Sequence, residues 1–184
     1  MPAGILLSHA AVLLGVAGLA AVIGRSAAAR PITYGASLIA CLSACALALV
    51  YLLAGAPVAP ALTLPLGLPW LGARFRLDAL AAFFLVIVNL GGAAASLFAL
   101  GYGRHERAPQ RVLPFYPAFL AGVNLVVLAD DAFAFLLSWE FMSLTSWALV
   151  MAHHRVLENA RAGRCASMPR HGMAAIFPYV TMPK

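Results

Sequence analysis

The sequence predicts an all-α, polytopic membrane protein with five transmembrane helices, and three observations support this prediction. Of the 184 residues, 64% are hydrophobic and 10% are charged, whereas a soluble domain is about half apolar and about a quarter charged. The mean hydropathy is +0.93. Apolar runs long enough to cross a bilayer alternate with shorter segments that contain Arg, Pro or Asp.

The expected helices cover about residues 4–24, 32–54, 77–100, 113–129 and 132–151. We expect the first to be a membrane span rather than a cleaved signal peptide, because no basic segment precedes it and its apolar run is long. Pro31 is expected to mark the break before the second helix. Small residues recur along the second helix, which predicts close packing against a neighbouring helix.

The connection between the second and third helices is rich in proline, which excludes a regular helix there. Residues 62–64 within it are expected to pair as a short strand. Asp78 is placed to cap the third helix. Asn89 lies near the middle of that helix, where an interhelical hydrogen bond is the expected role and ion transport is the alternative.

The basic residues divide unequally between the two sides of the predicted bundle. If the N-terminus lies outside, only Arg74 and Arg76 of the 12 Lys and Arg residues fall on the outer side. Because basic residues favour the cytoplasmic side, we expect the N-terminus outside and the C-terminus inside a bacterial inner membrane. This pattern also accounts for the net charge of +6, so no nucleic-acid partner is expected.

The fifth predicted helix carries a carboxylate, Glu140, about 12 Å below its first residue, near the bilayer midplane. An ionised acid at that depth costs about 2.5–3.5 kcal/mol on insertion scales. Helical spacing places Ser143 on the same face, with Ser138 and Thr145 on roughly the opposite side. We therefore expect Glu140 to be a proton or ion site whose partner comes from another helix. The alternative is a protonated Glu that forms a hydrogen bond across the bundle.

Three further polar residues are accessory candidates for ion translocation, namely Ser143, Asp130 and Asn124. Asp130 and Asp131 form an acidic turn before the fifth helix, where a solvated turn that stabilises the helix through its dipole is also expected. Cys41 and Cys45 are expected to serve packing. His153 and His154 point about 100° apart on a helix, which makes them a poor metal pair. We expect no catalytic residue, metal ligand or cofactor.

Three sequence blocks resemble a known family: residues 77–84 (LDALAAFF), 127–131 (VLADD) and 135–147 (FLLSWEFMSLTSW). They are similar to the start of the antiporter-like membrane subunits, which include proton-pumping subunits of respiratory complex I, Mrp-type antiporters and group 4 hydrogenases. The last block is most similar to the branch of hydrogenase-4 component B and formate hydrogenlyase. The resemblance implies that Glu140 is an ion-coupling acid that pairs with a lysine on a later, broken helix.

The resemblance covers about Gly4 to Gly163, within a predicted membrane domain of residues 1–163, and the family has about fourteen helices arranged in inverted repeats. The Pro-broken tail, residues 164–184, departs from it and is expected to be a disordered end of a truncated chain. The resemblance implies a non-redox membrane subunit whose partners are lipid and the other membrane and peripheral subunits of an NADH-quinone oxidoreductase or hydrogenase complex. The alternatives are an inactive structural fragment, part of a cation/proton antiporter or, least favoured, a stand-alone antiporter.

Overall fold

The structure, a computed structural model, describes residues 2–24, 26, 28–55, 60–64, 72–102 and 112–152. Within these residues the chain forms five helices and two short strands. The helices are α1 (Pro2–Ile23), α2 (Ala29–Leu53), α3 (Ala79–Tyr102), α4 (Phe115–Leu128) and α5 (Ala132–Met151). The strands are β1 (Leu62–Leu64) and β2 (Ala73–Phe75).

Four of these helices, α1, α2, α3 and α5, have the length and the apolar composition needed to cross a membrane. The helix α4 has only 14 residues, so its axis measures about 21 Å against a hydrocarbon thickness of about 30 Å. All five predicted segments are therefore helical, and the chain is a multi-pass membrane protein. The predicted fourth span, residues 113–129, is too long because Pro114 precedes the helix as its N-cap.

Two helices begin at residues other than those predicted from the sequence. The helix α2 begins at Ala29, so Pro31 lies inside its first turn instead of before it. A proline is tolerated there because the first N–H groups of a helix have no intrahelical acceptor. The helix α3 begins at Ala79, and Asp78 Oδ1 accepts a hydrogen bond from the backbone N–H of Ala81 at 2.7 Å. The predicted cap is thus confirmed, although the helix starts two residues later than expected.

The two strands form an antiparallel hairpin in which Thr63 pairs with Arg74. A Cβ added at Gly72 would lie 2.7 Å from Thr63 Cγ2, so only glycine fits this close approach without a shift. The strand expected at residues 62–64 is confirmed. This short hairpin lies in the connection between two helices, and the chain is otherwise helical, as the all-α prediction expects.

The hairpin is tied to the connection between α4 and α5. The backbone N–H of Arg76 donates to Leu128 O, and that of Asp130 donates to Arg74 O, each at 2.9 Å. A core cluster at this end of the bundle includes Leu77 and Leu128, each 1% exposed. We call this end, where α2 and α4 finish and where α3 and α5 begin, the hairpin end.

Small residues allow the helices to pack closely, as the sequence predicts. A Cβ added at Gly92 on α3 would lie 3.0 Å from both Cys41 Sγ on α2 and Leu120 Cδ2 on α4. One added at Gly122 on α4 would lie 3.0 Å from the Cα of Met142 on α5. The Cys41 side chain is fully buried, which supports the packing role expected for it. The helix α4 contacts α1, α3 and α5 and therefore lies between these three helices.

Candidate ion-translocation site

The position of α5 is set by its N-cap, Asp131. Its Oδ1 accepts a hydrogen bond from the backbone N–H of Ala134 at 2.8 Å, and its Oδ2 accepts one from the backbone N–H of Arg74 in β2. These bonds, first that from Ala134 and then that from Arg74, lower the pKa of the Asp131 carboxyl below its ordinary value. One carboxylate therefore caps the helix and also fastens it to the hairpin.

The helix α5 has a buried face and an exposed face. Ala134, Ser138 and Thr145 are buried, and the Thr145 hydroxyl donates to the carbonyl oxygens of Phe141 and Met142 within the helix. The opposite face is exposed over much of its length, and its exposed large apolar residues include Leu136, Trp139, Leu144 and Trp147. Ser138 and Thr145 thus lie on the opposite side from Glu140, as the helical spacing predicts.

Glu140 lies on the exposed face of α5, about 12 Å along the axis from Ala132. Within the residues that the structure describes, no hydrogen bond or ion pair reaches its carboxylate. Ser143 follows three residues later and is also exposed. The structure therefore brings Glu140 and Ser143 together on one surface of the helix. That Glu140 has a partner on another helix stays a prediction.

Asn124 lies elsewhere, in the interface between α3 and α4, and is 4% exposed. Its Oδ1 accepts a hydrogen bond from Asn89 Nδ2 at 2.7 Å. Each amide also donates to the backbone carbonyl four residues earlier in its own helix, at 2.9 Å for Asn89 and 2.8 Å for Asn124. The interhelical hydrogen bond expected of Asn89 is confirmed, and Asn124 is its partner.

Asp130 lies at the hairpin end, where its Oδ1 forms an ion pair with Arg76 Nη2 at 2.7 Å. The two side chains are 22% and 48% exposed, so the pair contributes about 0–1 kcal/mol. Asp130 is thus paired, while the neighbouring Asp131 caps α5, a more specific role than the solvated turn expected from the sequence. Of the four candidate residues, only Glu140 and Ser143 share a surface.

The sequence reasoning missed a second polar contact between α3 and α4. The hydroxyl groups of Ser96 and Tyr116 lie 2.7 Å apart, and Tyr116 Oη also donates to Gly92 O at 3.0 Å. Asn89 and Ser96 are seven residues apart, and Tyr116 and Asn124 are eight apart, so each pair lies on one helix face. Polar residues therefore recur at similar spacings, seven residues on α3 and eight on α4. In two adjacent antiparallel helices, this similarity was the sequence signal that could have identified both contacts.

No group of three or more His, Cys, Asp or Glu residues that could hold a metal ion occurs in the described ranges. His153 and His154 lie outside them, as does the tail at residues 164–184. Cys41 and Cys45 are free thiols.

No protein-family model matches the chain. It is 33% identical over 111 residues to an uncharacterised protein of Mycobacterium tuberculosis (strain CDC 1551 / Oshkosh), covering 60% of this chain and 17% of that protein. It is 35% identical over 79 residues to hydrogenase-4 component B of Escherichia coli (strain K12), covering 42% and 12%. It is 28% identical over 85 residues to NADH-quinone oxidoreductase subunit L of Buchnera aphidicola subsp. Acyrthosiphon pisum, covering 46% and 14%.

A solved structure shares the fold. It belongs to the membrane-bound sulfane sulfur reductase, an archaeal respiratory membrane complex, and superposes with a TM-score of 0.69 over 89% of this chain and 32% of that chain, at 16% identity. The chain is homologous to part of the antiporter-like membrane subunits. The resemblance seen in the sequence is thus confirmed.

The matched regions span 12% to 17% of the length of these relatives. Two of the relatives are named as a component of a hydrogenase and as a subunit of an NADH-quinone oxidoreductase.

Proposed function

We propose that the chain is the N-terminal portion of a proton- or cation-translocating membrane subunit, in a complex of the NADH-quinone oxidoreductase or membrane-bound hydrogenase type. In this proposal Glu140 is the intramembrane acid that couples protonation to ion movement. The observation that carries it is the position of Glu140 on the exposed face of a helix that is long enough to span the membrane.

A carboxylate in this position is unfavourable if the face is covered by lipid, since insertion scales put the cost of an ionised acid at the centre of a helix at about 2.5–3.5 kcal/mol. The cost falls when the carboxylate faces protein or water. The relatives are several times longer than this chain, so they contain polypeptide that can cover this face of α5. A cation on such a segment favours the ionised carboxylate, and removal of water favours the protonated acid.

This pair of opposing effects provides a coupling mechanism. When the cation approaches, Glu140 releases a proton, and when the cation withdraws, the carboxyl takes a proton up. Ser143, three residues away on the same surface, can accept or donate a hydrogen bond along the same path. The resemblance implies that the cation is a lysine on a later helix. The distribution of basic residues supports an outside N-terminus, in which case α5 runs inwards.

The proposal is tested by the substitution Glu140→Gln in the intact parent complex, with proton translocation measured in sealed membrane vesicles while electron transfer is followed separately. We expect translocation to fall at least about tenfold, because glutamine keeps the shape but cannot titrate. Glu140→Asp should retain most of the translocation. Glu106→Gln, which removes an acid from the predicted loop between the third and fourth helices, is the matched control and should have no effect. Wild-type translocation by Glu140→Gln would contradict the proposed role.

A further inference from the structure

Another polar pair joins two helices of the bundle, and the role proposed for Glu140 does not use it. His9 on α1 lies within hydrogen-bond distance of Ser43 on α2, with 3.0 Å between His9 Nε2 and Ser43 Oγ. Both residues are partly buried. His9 is the only titratable side chain of α1, so its surroundings decide which protonation states this helix can hold.

The pair lies below the surface of the predicted membrane region. The helix α1 begins at the hairpin end, because Ala3 and Leu6 belong to the same core cluster as Leu77. His9 is seven residues beyond Pro2, which corresponds to about 10 Å along the axis. A polar group at that depth is costly unless it forms hydrogen bonds. Both ring nitrogens of His9 have such partners within the protein.

One ring nitrogen of His9 has a fixed role. Its Nδ1 lies 2.8 Å from the carbonyl oxygen of Ile5, one turn earlier in α1. The Ser8 hydroxyl donates to the same oxygen at 2.6 Å. Because a carbonyl oxygen can only accept, Nδ1 must carry a hydrogen. In the neutral imidazole Nε2 then has a free lone pair, so Nε2 is the atom that can take up a proton.

The other ring nitrogen faces a hydroxyl that can either donate or accept. Ser43 Oγ lies 2.9 Å from Ile39 O and 3.0 Å from Ala40 O, besides its contact with His9 Nε2. When His9 is neutral, the hydroxyl donates to Nε2. When His9 is protonated, Nε2–H donates to Oγ, and the hydroxyl hydrogen turns to one of the two carbonyls. Both protonation states therefore have complete hydrogen bonds without displacement of a heavy atom.

The helices that pack against α1 are α2 and α4. The helix α4 contains no acidic or basic residue. The charged residue of α2 is Arg30, 13 residues before Ser43 and thus about 20 Å away along the axis. The remaining titratable groups of the two helices make contacts away from His9: Tyr34 with Tyr116, Tyr116 with Ser96, Cys41 beside Gly92, Cys45 with Val86 O, and Tyr51 with Leu77 O.

We propose that His9 and Ser43 form a proton-binding site in the interface between α1 and α2. A hydronium ion from the water at the hairpin end gives up its proton, an N–H bond forms at the lone pair of His9 Nε2, and water is left. The Ser43 hydroxyl turns from Nε2 to the backbone carbonyls in the same step. Release of the proton reverses both changes. The site is on different helices from Glu140 and does not depend on the role of that residue.

The test is nitrogen NMR of the full chain in detergent micelles, with ¹⁵N-labelled histidine and a titration from about pH 9 to about pH 4, which brackets the usual titration of histidine. His9→Gln identifies the His9 signals among the five histidines. We expect neutral His9 to carry its hydrogen on Nδ1 and to gain a second hydrogen on Nε2 in acid. Neutral His9 with its hydrogen on Nε2 would overturn the proposal, and so would His9 that stays neutral throughout.

Two substitutions of Ser43 and one matched control locate the site. Ser43→Ala should raise the proton dissociation constant of His9 about tenfold, because a hydrogen bond from a charged donor is roughly twice as strong as a neutral one. Ser43→Thr keeps the hydroxyl and should bind the proton as wild type does. Ser37→Ala makes the same change on α2 at a hydroxyl with no hydrogen-bond partner among the described residues, and proton binding should stay unchanged.

Circular dichroism confirms the fold of each variant before its titration is compared with wild type. Wild-type proton binding by folded Ser43→Ala would overturn the role of the hydroxyl. An equal loss in Ser37→Ala would also overturn it, because the effect would then belong to α2 as a whole. If Ser43→Ala does not fold, the position of the hydrogen in neutral wild-type His9 and the titration of Ser43→Thr decide the proposal.

Discussion

Two polar positions at similar depths in the bundle have opposite surroundings. Asn89 lies about 15 Å along α3 from its start, and Glu140 lies about 12 Å along α5 from its start, both measured from the hairpin end. Asn89 is 1% exposed and forms a hydrogen bond to Asn124 on the neighbouring helix. Glu140 is exposed, and no hydrogen bond reaches it within the described residues.

This difference shows which polar side chains find hydrogen-bond partners within the described residues. The Asn89–Asn124 pair has its partners within α3 and α4, so it stabilises the packing of these helices. The carboxylate of Glu140 is directed away from the interface that α5 makes with α4. A polar group that is not satisfied inside a bundle needs either water or another protein segment, which is the basis of the ion-translocation role proposed for Glu140. The predictions below test the two positions through stability and then through chemistry.

The largest stability effect is expected at the α4–α5 interface, which fixes the direction of Glu140. In Gly122→Ala the added Cβ would lie 3.0 Å from the Cα of Met142. Relief of this contact requires a shift of the helix backbone, which costs more free energy than a change of side-chain rotamer. We expect a loss of about 1–3 kcal/mol, measured by denaturant titration in mixed micelles. The control Gly91→Ala places its Cβ in open space and should be neutral or slightly stabilising, by up to about 1 kcal/mol. Equal effects of the two substitutions would contradict the packing described for α5.

The next largest effect is expected from Asn89→Leu, which leaves the buried amide of Asn124 without its interhelical partner. We expect it to destabilise the chain by about 1–2 kcal/mol in the same titration. The double variant Asn89→Leu/Asn124→Leu removes both amides and should recover part of this loss. A double variant whose loss of stability equals or exceeds the sum of the two single-variant losses would show that the two amides do not act as a pair.

A smaller effect is expected at the cap that connects α5 to the hairpin. Asp131→Ala should cost about 1 kcal/mol at neutral pH, as is typical for loss of an N-cap. Because the pKa of Asp131 is lowered from 3.8 in the folded chain, its contribution is complete above that value and disappears as the pH falls through the folded pKa. Melting temperatures of wild type and Asp131→Ala should therefore converge in acid. A difference that persists unchanged in acid would exclude the carboxylate as its cause.

The smallest stability effect is expected at Glu140 itself. In the isolated chain, Glu140→Gln should change the free energy of unfolding by less than about 0.5 kcal/mol, since an exposed residue without a partner contributes little. The same titration that detects Asn89→Leu provides the comparison. A loss as large as that of Asn89→Leu would mean that Glu140 is a structural residue of this bundle, and the contrast between the two positions would fail.

Much of the fold follows from local patterns in the sequence. Long apolar runs identify the helices, Asp78 stands where a cap is needed, and helical spacing places Ser138 and Thr145 on the side of α5 opposite to Glu140. The length of α4 could not be predicted as reliably, because Pro114 is compatible both with a cap and with a first helical turn. The start of α2 at Ala29 is equally ambiguous, since proline is tolerated in a first turn.

The long-range contacts were harder to predict than the elements. The pairing of Asn89 with Asn124 depends on the relative rotation of two helices, which the apolar pattern leaves open because each helix is apolar on several faces. The ion pair between Arg76 and Asp130 depends on the hairpin folding over the α4–α5 connection. In contrast, the candidate acid was evident from the sequence, because a carboxylate within an apolar run of membrane length is rare.

The central claim, that Glu140 changes its protonation during ion translocation, is tested most directly by infrared difference spectroscopy of the parent complex during turnover. A protonated carboxyl group has a C=O stretching band that disappears on ionisation, so a titrating Glu140 must produce a difference signal in this region. We predict a signal that is lost in Glu140→Gln, shifted in Glu140→Asp and retained in the loop control Glu106→Gln. A signal that is identical in wild type and Glu140→Gln, at equal rates of electron transfer, would contradict the claim.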